Sequence, residues 1–212
     1  MDNRGKCFHI AADASKSVSD GYIGLKNREE YNAAILHITG LIEASYKLFL
    51  SNHFALSVFL SITVFEESAK VFAGHSRNFS EAARNLKVRR GKDPLFNHTK
   101  KLQIVIDSLF LSAPRLYDAM GKERVEEIIC NYNSGKYSEL REQSLYFSRN
   151  EEKLHIPSEF ITFSLAAEHL LIAIELVGEL FWGMTAEASI SCDKTDEIFQ
   201  SVADKLNKYL NT

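Results

Sequence analysis

The chain has 212 residues, 45% of them hydrophobic and 11% aromatic, with 25 Lys and Arg against 28 Asp and Glu, and a formal charge of −3. That length suits one sizeable core, the composition lies well outside disorder, and the slight acidity excludes a protein that coats nucleic acid through its overall charge. Three prolines and ten glycines are few for a fold built on tight turns. The expectation is an all-α bundle of about six or seven helices, in one domain over residues 1–212.

Taken in chain order, a short first helix is expected over residues 10–22. The start Met-Asp-Asn-Arg-Gly-Lys has no apolar run of a signal peptide. Residues 28–51 follow as a helix with Ala34, Ile38, Leu41, Ala44 and Leu48 at helical spacing. After a turn at Ser51-Asn52, a third helix covers residues 54–77. Residues 78–94 read as a polar, basic loop ending in Asp93-Pro94, and a fourth helix over 95–111 carries His98, Leu102, Val105 and Leu109 on one face. Residues 115–134 are helical in pattern, with Glu123, Glu126 and Glu127 outward. Residues 131–157 look irregular, Ser158 is placed to cap a long helix reaching Ala186, and a last amphipathic helix covers 193–210. The most apolar window, 161–182, holds Glu168, His169, Glu175 and Glu179, which argues against a membrane span. Cys7, Cys130 and Cys192 are odd in number and far apart, so neither a disulfide framework nor a zinc site is expected. No cofactor is implied, and the expected location is the cytoplasm.

The third helix carries the chemistry. Ala55, Val58, Phe59, Ile62, Phe65, Ala69 and Ala73 form one apolar face, Leu56, Leu60, Val64 and Val71 a second, and Ser57, Ser61 and Ser68 a narrow polar strip. Yet the helix keeps Glu66, Glu67 and Lys70, and buried charges cost several kcal/mol each unless paired. Glu66 and Lys70 are spaced to pair within the helix. Two readings stand, a buried ion pair that fixes register and a functional site. His98, with Lys101 flanking it, faces the core side of the fourth helix. Glutamate, histidine and lysine together are the types used for acid–base work and for stabilising an oxyanion. Nearby, Lys87, Arg89, Arg90, Lys92, Lys100 and Lys101 are opposed by Asp93 alone, as a solvated loop or as a patch facing RNA or another anion. Arg141 and Tyr146 lie in an irregular stretch, either anchored by aromatic packing or with Arg141 returning to Glu67 or to a phosphate.

The order Phe65-Glu66-Glu67-Ser68-Ala69-Lys70, then His98-Thr99-Lys100-Lys101-Leu102, then Leu140-Arg141-Glu142-Gln143-Ser144-Leu145-Tyr146-Phe147-Ser148, then a proline-led long helix, resembles the AbiV family of bacterial abortive infection proteins over residues 30–185. The resemblance implies a helical, intracellular protein of the HEPN superfamily that blocks phage multiplication by arresting translation. It also implies a homodimer, and for many superfamily members a metal-independent ribonuclease in which an arginine and a histidine act on the RNA 2′-hydroxyl and phosphate. Carried over, His98 is the histidine and Glu66 or Glu67 the acidic group, with Lys70 and Lys101 as basic companions; the candidate RNA contacts, Arg89, Arg90, Lys100 and Arg141, come from the basic segment and the irregular stretch. Arg90 departs from the family spacing, because seven residues, including Pro94, separate it from His98. The alternative is a non-catalytic protein that binds a phage or host partner of the translation apparatus.

Overall fold

The computed structural model describes residues 8–19, 21–79, 87–106, 114–137, 139–149 and 151–211. Cys7, the segment 80–86 and the end of the expected fourth helix, with Leu109, lie outside the described residues. Among those described there are ten α-helices and two minimal sheets, so the all-α expectation holds.

Four long helices form the centre: α2 (Arg28–Leu50), α3 (Phe54–Phe79), α9 (Phe163–Phe181) and α10 (Ala186–Leu210). Helix α2 starts where the Asn27 side chain accepts from the Glu30 N–H at 2.8 Å, with Glu29 and Glu30 in the first turn, where the helix dipole favours them. It stops in a Schellman motif. The N–H of His53 donates to the Leu48 carbonyl at 2.9 Å and that of Asn52 to Phe49 at 3.1 Å, with Asn52 at φ 61°, a conformation asparagine tolerates. This three-residue turn lays α3 antiparallel on α2. The buried face of α2 is Tyr31, Ile35, Ile38, Thr39, Ile42, Ser45 and Phe49, rotated from the expected stripe, so that Ala34 and Leu41 sit at its edge. By length and composition alone, α2 is the described helix that could cross a bilayer; here it packs on α3 and α10.

The serine strip of α3 is the α2 contact. Ser57, Ser61 and Ser68 are fully buried, and Ser45 Oγ donates to the Ser57 carbonyl at 2.9 Å, with Ser61 Oγ 3.0 Å away. Ser45, Ser57 and Ser61 let the two helices approach closely while satisfying one another, whereas the buried Ser68 hydroxyl has no hydrogen-bond partner among the described residues. The opposite apolar face of α3, with Val58, Ile62, Phe65 and Ala69 all buried, receives α9 and α4 (His98–Ile106).

Several expected boundaries move. Gly121, at φ +82°, splits residues 115–134 into α5 (Pro114–Met120) and α6 (Lys122–Asn133). Ser158 caps nothing long. Pro157–Phe160 is a single turn, α8, and Thr162 caps α9 by accepting from the Leu165 N–H at 3.2 Å. Thr185 likewise caps α10 through the Ala188 N–H at 3.0 Å, seven residues before the expected start at 193. The irregular stretch contains one turn of helix, α7 (Leu140–Gln143), and a hairpin pairing β3 (Ser148–Arg149) with β4 (Leu154–His155). The described residues begin with α1 (Phe8–Lys16), which ends before the expected limit at 22, and β1 (Val18–Ser19) runs parallel to β2 (Lys87–Val88). Cys130 and Cys192 are not joined in a disulfide.

Candidate functional site

Two polar clusters tie α3 to the segment that leads into α4. The first is a brace. Arg77, fully buried near the end of α3, donates from Nε to the Ala14 carbonyl at 2.6 Å and from Nη1 to the Tyr22 carbonyl at 2.8 Å. Its Nη2 donates to Asp93 Oδ1 at 2.7 Å. Asp93 also accepts from Ser19 Oγ at 2.8 Å and from the Leu95 N–H at 3.0 Å. That last bond starts the 3-10 turn Pro94–Phe96, which aims the chain at α4. Beside the brace, the Tyr22 hydroxyl donates to the Lys70 carbonyl at 2.9 Å, and burial pushes its pKa up to about 12. It rests over Gly74, where a Cβ would lie 2.1 Å from its oxygen.

The second cluster forms around Glu66, whose side chain is 4% exposed. His98, the first residue of α4, donates from Nδ1 to Glu66 Oε1 at 2.7 Å. Lys101, one turn on and itself buried, donates from Nζ to Glu66 Oε2 at 2.5 Å. Asn97 fixes this helix start by accepting from the Lys100 N–H at 2.9 Å. A third cation arrives from α7: Arg141 Nε lies 3.5 Å from Glu66 Oε1, and its guanidinium stacks over the Phe59 ring at 4.7 Å. Arg141 also pairs with Glu142.

The chemistry follows from the arrangement. The Glu66 carboxylate is shared by an imidazole and two cations, and Glu142 balances the second of these, so the cluster is close to charge balance and opens to solvent at His98. The His98 side chain is 54% exposed while those of Glu66 and Lys101 are shut in. With Nδ1–H held by Glu66, the neutral ring keeps its lone pair on Nε2, oriented and ready to take a proton. Such a group can act as a general base beside an anion held by Lys101 and Arg141. Among the described residues, no three His, Cys, Asp or Glu side chains gather as a metal-binding group.

Of the residues expected from sequence, the structure brings together Glu66, His98, Lys101 and Arg141. Glu67 and Lys70 stand beside them and pair with each other at 2.6 Å. The expected Glu66–Lys70 pair is therefore absent, because His98 and Lys101 already occupy both oxygens of Glu66. Arg141 does return to the site, but to Glu66 and not to Glu67. Arg89, Arg90 and Lys100 are exposed on the approach to α4, and Arg90 stacks over Phe96 at 4.5 Å, away from the carboxylate. Asp93 does not offset this basic surface, since Arg77 holds it inside. Sequence reasoning missed Phe59 as the shelf for Arg141 and missed the brace. An arginine in an apolar helix and an Asp-Pro before a helix were its signals.

Other buried ions serve packing. Glu168 is gripped through both oxygens by Arg124 at 2.8 Å, and Glu175 accepts from Arg115. His169, wholly buried against Tyr132 and Tyr137, has its pKa lowered to about 4 by burial.

A protein-family model described as AbiV, of the HEPN type, matches residues 26–178, well over half of the 212-residue chain. No curated protein and no solved structure gives a significant match. The matched span contains Glu66, His98, Lys101 and Arg141.

Proposed function

This chain belongs to the AbiV family, and from that premise we propose that it stops phage multiplication by cutting RNA at the Glu66 cluster, so that translation and growth arrest. The observation that carries the reading is the half-exposed His98, held by a buried carboxylate between two cations. In the proposed step His98 Nε2 takes the proton of a ribose 2′-hydroxyl. The 2′-oxygen then attacks the adjacent phosphorus, the bond to the 5′-oxygen breaks, and that oxygen leaves with a proton returned from solvent or from the imidazolium. Lys101 and Arg141 balance the charge that grows on the phosphoryl oxygens, Glu66 is a positioning residue, and the products carry 2′,3′-cyclic phosphate ends. Glu67 and Lys70 stand beside the cluster, and Arg89, Arg90 and Lys100 draw the strand towards it through salt-sensitive phosphate contacts. The reaction belongs in the cytoplasm. We also infer a homodimer, supported by Leu56 and Phe72, large apolar side chains that α3 leaves exposed.

A second reading has its own observation. Arg90 stacks on Phe96 and does not join His98, so the arginine that the family resemblance calls for is supplied, if at all, from α7. A cluster without catalysis would serve a protein that blocks translation by binding a phage or host factor. The test is purified protein with total bacterial RNA in EDTA, wild type against His98→Ala. Cyclic-phosphate fragments from the wild type alone establish the ribonuclease. Equal cleavage by both folded proteins removes His98 from the chemistry, and intact RNA in both favours the binding protein.

A further inference from the structure

The turn that delivers Arg141 runs on, within two residues, into the lining of a cavity. Ser144 Oγ donates to the Arg141 carbonyl at 2.8 Å and the Tyr146 N–H to the Glu142 carbonyl at 2.9 Å. Tyr146 is thus fixed to the turn that reaches Glu66, yet its side chain is 60% exposed and Phe147 beside it 74%. The β3–β4 hairpin sets Ser148 opposite His155, and α8 brings in Phe160, also partly open. Between them lies a cavity of about 510 Å³ lined by Gln143, Tyr146, Ser148, Arg149, His155 and Phe160. This is the size of pockets that take small ligands.

Its chemistry is narrow: two aromatic rings, a guanidinium, an imidazole, an amide and a hydroxyl, with no carboxylate in the lining. Aromatic faces with amide and hydroxyl groups around them suit a flat heterocycle with hydrogen-bonding edges, and Arg149 suits the phosphate that accompanies it. We propose that this cavity holds an unpaired nucleobase of the RNA strand whose phosphate lies over Lys101 and Arg141. The proposal rests on the ribonuclease reading and extends it. A base can enter only when it is out of a duplex, so the site takes single strands, with the exposed Tyr146 ring as one wall.

The test measures binding, without cleavage. A fluorescent hexamer of 2′-O-methyluridine, which cannot cyclise, is compared by anisotropy with an abasic strand of equal length and charge. Wild type is expected to hold the base-bearing strand about tenfold tighter, or more. The Tyr146→Ala/Phe160→Ala variant, changed only at partly open positions, should bind both strands with the abasic affinity. Equal binding of the two strands by wild type, or a preference that survives in the double variant, overturns the cavity while leaving the phosphate site standing. Loss of self-association in that variant, with the base preference unchanged, gives the surface to a second copy of the chain instead. If neither strand binds, the cavity proposal fails, and the RNA cleavage comparison above decides separately whether the function fails too.

Discussion

The brace and the site use the same ingredients to opposite ends. Each sets a buried carboxylate against an arginine: the brace joins α3 to the segment leading into α4, and the Glu66 cluster joins α3 to α4 and α7. At Asp93 and Arg77 the exposure of both side chains is zero and each nitrogen of the guanidinium donates to an oxygen of the chain. At Glu66 one carboxylate faces three partners, and the outermost, His98, is half in water. A closed pair has no group left facing water, whereas the open cluster keeps the His98 ring half exposed on a buried carboxylate. Burial of charge therefore does not by itself distinguish the two; access from solvent does.

The largest effect should come from breaking the brace. Arg77→Met strands Asp93 inside and is expected to cost about 3–5 kcal/mol in urea unfolding. A loss under about 1 kcal/mol would mean that the pair does not hold α1 and the 90s segment on α3. Glu66→Gln leaves Lys101 buried opposite a neutral amide and should cost about 2–4 kcal/mol. Here the comparison sharpens: millimolar phosphate should restore part of the loss in Glu66→Gln, beyond any effect on Arg77→Met, because only the open cluster can admit the anion. Equal responses of the two variants would erase the distinction.

Acid should expose a third kind of buried group. His169 is neutral in the native state with a pKa of about 4, against about 6.5 when unfolded. The unfolded chain therefore binds more protons between these values, and stability present above pH 6.5 drains away as pH falls towards 4, by about 3 kcal/mol in all. Groups facing it are Arg124, whose charge lowers it further, and the rings of Tyr132 and Tyr137. His169→Phe should flatten that stretch of the pH–stability curve, and an unchanged slope would assign the proton uptake elsewhere. The smallest effect is expected at His98→Ala, below about 1 kcal/mol because the ring is half solvated, and thermal unfolding would show it. A large loss there would make His98 a second brace.

Much of this was legible in the sequence because it is local. Period and caps placed α2, the Ser51-Asn52 turn and α3, and three charges on an apolar helix marked Glu66 as a residue with a reason to be there. Partners were harder. Spacing displays the intrahelical choice, Glu66 with Lys70, but the choice actually made runs between helices to residues 32 and 35 positions away. Arg141 illustrates the same limit. Its stretch lacks periodicity because one turn of helix and a two-residue hairpin are too short to show any. The break at Gly121 was readable as a glycine in a helical pattern, but not the positive φ that makes it a boundary. The serine strip looked like a wet face because polarity alone does not distinguish water from a facing serine.

The reach of Arg141 has a consequence for when the molecule becomes whole. Its contact with Glu66 spans 75 positions, and the brace spans up to 74. Contacts so distant in sequence must pay loop-closure entropy before they return anything, so they form after the α2–α3 hairpin. A chain emerging from the ribosome carries Glu66, His98 and Lys101 well before it carries the guanidinium that completes their setting. The order in which its residues are made thus leaves the Glu66 cluster incomplete on the unfinished polypeptide.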